Sequence, residues 1–171
     1  MKRRQHLALA CFLAAVFAAS ELIVRPVPVV AGPIAPREGW EIRQSGKSYA
    51  ALLESLRAAI AAEGMGLVTE AGPTETAKAR GVTIPGNRVV GVFRNDFAVR
   101  VLGLSTAAMI EAPIRFYVTE GPDGKGWLSW KRPSFVFKPY AAEGGAGLAA
   151  TASELDAIFL AIATRALAAT P

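Results

Sequence analysis

Cys11 and His6 are the only cysteine and the only histidine in the chain, and both fall within the first twenty residues. Beyond residue 20, therefore, no disulfide, thiolate nucleophile, Ser-His or Cys-His pair, Cys/His zinc site or haem ligand can be built. The chain that follows must fold on its hydrophobic core alone. A domain of about 140 to 150 residues can do so, burying roughly 68% of its unfolded surface. Carboxylate, Lys, Tyr, Ser/Thr and backbone chemistry remain, and no metal or cofactor is expected.

The first twenty residues read as an export signal. Lys2, Arg3 and Arg4 precede an uninterrupted apolar run of 13 residues from Leu7 to Ala19, with small residues at Ala18, Ala19 and Ser20. A helix of that length reaches about 20 Å where a bilayer core needs about 30 Å. Cleavage after Ala18 or Ser20 is expected, with Ala31 a weaker site and a lipoprotein reading of Cys11 disfavoured by its short apolar lead. The protein is then periplasmic or secreted, with no stable membrane span. The competing reading is an uncleaved anchor to the inner membrane continuing through Leu22 to Val30, which Pro26 and Pro28 oppose by breaking a helix there. The formal charge of +5 suggests nucleic acid, but three of the nineteen basic residues sit in the signal, so sixteen face fourteen acidic ones. No nucleic-acid partner is expected.

Residues 21–38 carry Pro26, Pro28, Pro33 and Pro36 without a helical period and read as an extended tether. A single domain over 39–171 follows. A strand at Trp40–Gln44 leads to Ser48, an N-cap, after which Tyr49, Leu52, Leu53, Leu56 and Ile60 keep helical spacing up to Gly64. Gly66–Glu70 reads as a strand, Pro73–Arg80 as a short helix and Arg88–Phe93 as a buried strand. Asn95 or Asp96 caps a helix carrying Phe97, Val101 and Leu104, stopped by Pro113. Ile114–Thr119 and Trp127–Lys131 form a hairpin across Gly121–Gly124. Pro133, Phe135, Phe137, Pro139 and Tyr140 read as a loop that runs through Gly144, Gly145 and Gly147. A last helix then opens on a Thr151/Glu154 capping box and buries Leu155, Ile158, Phe159 and Ile162. The order β-α-β-α-β-α-β-β-α, with its hairpin and short connections, predicts an α+β fold: a single, largely antiparallel sheet with helices on one face.

Three segments, EGMGLV at the end of the first helix, VVGVFRN, and IEAPIRFYVTEGPDGKGWLSW, give the stretch from Tyr49 to Ala168 a resemblance to the DUF302 family of small α/β domains. Of that family's Gly-Asn-Pro signature only Asn95 stands here, with Arg94 and Asp96 at the flanking positions. The resemblance implies a single sheet backed by helices, often paired as a homodimer, and carries over no catalytic residues.

The candidate polar site is the strand-to-helix turn of Arg94, Asn95 and Asp96. Free backbone N–H groups and the helix dipole there favour an anion, and Arg100 is placed to add a second cation. Capping by Asn95 or Asp96 would use the same donors. Arg88 and Arg115 could join them only if strand alternation did not send neighbours to opposite faces, and Glu111 with Asp96 is the one carboxylate pair available for acid-base work. Trp127 and Trp130, facing Phe116 and Tyr117 across the hairpin, differ by three positions and so belong to opposite faces. The aromatics Phe135, Phe137 and Tyr140 read as a flap over a pocket, an interface, or plain core. No P-loop, dinucleotide fingerprint, nucleophile elbow or metal loop occurs. The expected function is an exported, non-catalytic module for a small anionic or apolar ligand or a protein partner, including a second copy of itself. The alternative is a periplasmic enzyme that works with carboxylate and Arg groups.

Overall fold

The computed structural model describes residues 34–169, so the expected signal and most of the tether lie outside the described residues. The chain enters at the edge of a sheet. Strand β1 (Trp40–Ser48) runs longer than expected because an irregularity between Gln44 and Ser48 keeps it paired beyond Gln44. Ser48 then caps helix α1 (Tyr49–Ala62), its Oγ accepting from the Ala51 N–H at 3.3 Å. The helix stops at Gly64, whose φ of +68° suits a residue without a Cβ, and the next amide returns to the Ile60 carbonyl.

Strand β2 (Gly66–Ala71), helix α2 (Thr74–Ala79) and strand β3 (Asn87–Phe93) follow, then helix α3 (Asn95–Leu104). Helix α3 ends at Ser105 rather than at Pro113, and a 3-10 turn at Ala107–Glu111 fills the gap. Strands β4 (Ile114–Glu120) and β5 (Lys125–Lys131) form the hairpin. The five strands lie in the order β1-β5-β4-β3-β2, every pair antiparallel.

The C-terminal third departs from the sequence reading in two places. The aromatic stretch is helical rather than a loop: α4 (Pro133–Phe137) and a 3-10 turn (Lys138–Tyr140) run directly into α5 (Ala141–Leu167). Thr151 and Glu154 are not a capping box. Thr151 is buried mid-helix with its hydroxyl donating to the Gly147 carbonyl, and Glu154 pairs with Arg100. Of the glycines that read as breakers, Gly147 serves close packing instead. A Cβ on Gly147 would lie 2.7 Å from the Leu104 side chain, so its absence lets α3 approach α5. Gly145 marks a kink at φ +52° inside the helix.

Alternation sorts the sheet into two unlike faces. Val90, Val92, Ile114, Phe116, Val118, Leu128 and Trp130 point to the helices and meet the buried sides of α1, α3 and α5. Phe116 stacks on Phe159 of α5 at 4.7 Å and meets Trp130 at 5.6 Å. Helix α1 lies so close to β5 that a Cβ on Gly126 would fall 2.6 Å from the Leu52 side chain. The stretch Pro133–Leu167 is long and apolar enough to cross a membrane by length and composition. Its apolar stripe, however, including Leu148, Leu155, Phe159 and Ile162, lies in this core. The helices occupy one side, and among the described residues the opposite face of the sheet is left open.

Candidate functional site

The register reads the open face as rows. The first runs Trp40, Lys131, Arg115, Gly91, Thr69; the second Ile42, Ser129, Tyr117, Val89, Ala71; the third Gln44, Trp127, Thr119, Asn87. At the end nearest α4 this surface is concave. A groove of about 420 Å³ is lined by Trp40, Lys131, Arg115, Tyr117, Val89 and Asn87, with Val136 of α4 and Glu111 of the 3-10 turn among its further walls. That volume lies in the range of small-ligand sites.

Each wall has a local cause. Phe135 packs against Gly39, where any Cβ would collide with its ring, and this contact holds α4 beside the start of β1. Gly91 lets Thr69 and Pro113 close over the sheet at the far end of the first row, a Cβ there falling 2.2 Å from the Thr69 Oγ1. The Asn87 side-chain amide donates to the Tyr117 hydroxyl, which leaves the phenolic proton free to donate. Tyr140 donates to Glu111 at 2.8 Å, and that carboxylate holds the Tyr140 hydroxyl above its usual range.

The groove lining holds two cations. The β4–β5 register, continued one step past its last pair Phe116–Trp130, sets Arg115 opposite Lys131; both are exposed, and neither has a salt-bridge partner among the described residues. The Lys131 ammonium sits 5.5 Å from the centre of the Trp40 indole, and the Arg37 guanidinium lies 5.6 Å from the same ring.

The sequence-predicted turn is arranged otherwise. Arg94 is the N-cap of α3 and pairs with Asp96 at 2.8 Å, which together with the Phe97 and Asp96 backbone N–H groups holds the Asp96 carboxyl below its usual range; Asn95 and Asp96 are the first residues of the helix rather than its N-cap. Arg100 pairs with Glu154 at 2.7 Å, and Arg94 and Arg100 flank the Phe97 ring at 4.3 and 4.8 Å. The crevice beside Arg94 holds about 40 Å³, little more than one water, and is lined by core residues such as Val101 and Phe159. Arg88 points to the helix face and pairs with Glu75 and Glu70. The four arginines therefore do not converge, and of them Arg115 alone lacks an acidic partner among the described residues.

The aromatics also divide. Trp130 and Phe137 are in the core, Phe135 and Tyr140 are half-buried around α4, and Trp127 is half-buried on the open face. Trp40, Val89, Asn87 and Lys131 are groove residues that sequence reasoning did not single out. Alternation puts Arg115 and Tyr117 on one face of β4, but only the register brings Lys131 and Trp40 beside them.

Fold and surface together define a small α+β domain with one antiparallel sheet, helices on one face and a concave cationic-aromatic groove on the other. The chain belongs to the DUF302 family: residues 41–163 match the family described as "Domain of unknown function DUF302". Among solved structures it is similar to the uncharacterized conserved protein DUF302 from Bacillus stearothermophilus, with a TM-score of 0.67 and 16% identity, over 76% of this chain and 99% of that one. At that identity the likeness speaks to the fold alone. No curated protein matches the chain.

Proposed function

We propose that the protein is an exported, non-catalytic binding module that takes a small ligand onto the open face of its sheet. The groove carries this reading: about 420 Å³ of concave surface holding aromatic side chains and two cations without acidic partners. Its chemistry favours binding over catalysis. The one carboxylate among its lining residues, Glu111, accepts from Tyr140, and Arg115 and Lys131 are suited to holding charge rather than moving protons. Export to the periplasm or outside the cell is supported by the cationic start and apolar run of residues 1–20.

Native mass spectrometry of protein recovered from its own periplasm tests the reading. A small-molecule adduct is expected on the native protein and absent from a Val89→Trp variant, whose indole fills the groove. An adduct retained equally by a folded Val89→Trp protein would place the ligand elsewhere and overturn the assignment.

A further inference from the structure

Resting on the groove reading above, we infer that the ligand is a monovalent carboxylate with a flat apolar body. Arg115 and Lys131 hold the anion, and Trp40, Tyr117 and Val89 hold the body. Three observations carry this.

The first is a like-charge pair across a ladder. Residues paired on adjacent antiparallel strands stand about 5 Å apart at Cβ, and like charges there destabilise the sheet. Arg88, Arg94 and Arg100 each have an acidic partner, whereas Arg115 and Lys131, set opposite each other one step beyond the last β4–β5 pair, have none among the described residues. An anion between them removes the repulsion and uses the guanidinium fork.

The second is the sign and size of the surrounding charge. Besides the two cations, the groove lining carries Glu111, so its net formal charge is a single positive one. A monoanion matches that charge. A phosphate monoester, at close to two negative charges, meets an uncompensated carboxylate.

The third is what flanks the cations. Trp40 lies on one side of them in the row, and Pro113 closes over Gly91 on the other, while Val89 and Tyr117 form the floor of the next row. A planar apolar body resting on this surface gains aromatic contact and displaces water from it.

Calorimetric titration of the mature chain with 2-naphthoate, its neutral isostere 2-naphthamide, and 2-naphthyl phosphate tests the inference. The carboxylate is expected to bind at least about tenfold more tightly than the amide, as one charge-assisted bond supplies, and more tightly than the phosphate. Arg115→Gln and Lys131→Gln should each erase most of that advantage while leaving amide binding within about twofold, with melting of the free protein no lower than that of the unsubstituted chain as the control for folding. Equal binding of carboxylate and amide would overturn the anion assignment and leave the groove reading standing. Tighter phosphate binding would overturn the monovalent assignment. Failure of all three to bind would count against the groove itself.

Discussion

The unpaired cations make a stability prediction that needs no ligand. One step beyond the last β4–β5 pair, Arg115 stands opposite Lys131, so Arg115→Glu replaces a like charge with an opposite one there and leaves the Lys131–Trp40 contact in place. Two unit charges roughly 6 Å apart in a water-like dielectric interact by about 0.7 kcal/mol, so reversing one sign is worth about 1.4 kcal/mol before screening. A Debye length of about 8 Å at physiological salt halves this, giving about 0.7 kcal/mol, within the range measured for cross-strand pairs. For a domain of this size the melting temperature should rise by about 3 °C. Urea denaturation should show a higher midpoint with an unchanged slope, and the gain should vanish in about 1 M NaCl, where the Debye length is about 3 Å. A lower midpoint, or a gain that survives high salt, would refute the claim that Arg115 and Lys131 repel each other in the free protein.

Three further outcomes follow from the packing and the charges. Gly126→Ala should cost about 1 to 3 kcal/mol in chemical denaturation, because the new Cβ meets the Leu52 side chain where α1 lies on β5. Glu70 has its carboxyl held below the usual range by the hydrogen bond from Arg57, so its contribution to stability is complete above the ordinary glutamate pKa and is lost as pH falls through the depressed one. Glu70→Gln should therefore flatten the acid limb of the stability profile, and an unchanged limb would show that the Arg57 contact is not made. On the export proposal, intact mass of the protein from its own cells should match a chain that begins near Ala19 or Glu21, whereas full-length chain in salt-washed membranes would contradict cleavage and support the anchor.

Much of the fold is legible in local pattern. Ser48 and Gly64 bracket α1 with cap chemistry, and Gly121 to Gly124 mark the hairpin turn, so those elements follow from their own residues. The start of α5 does not. Gly144, Gly145 and Gly147 are indistinguishable in sequence from a flexible loop, and only the approach of Leu104 to Gly147 shows why a helix tolerates one of them. Arg94, Asn95 and Asp96 drew attention because a strand-to-helix turn offers free N–H groups, which is a local signal. The groove is assembled from β1, β3, β4, β5 and α4, and no local signal reports a site whose residues are brought together by strand order. Alternation along a strand tells which residues share its face, and register between strands tells which of them meet.

The measurement that bears most directly on the central claim is an amide chemical-shift titration of the mature protein with 2-naphthoate. Shifts concentrated on Trp40, Val89, Arg115, Tyr117 and Lys131, with α3 and the Arg94–Asp96 turn unmoved, are the predicted result. Shifts confined to that turn and to Arg100, with the open face silent, would contradict it.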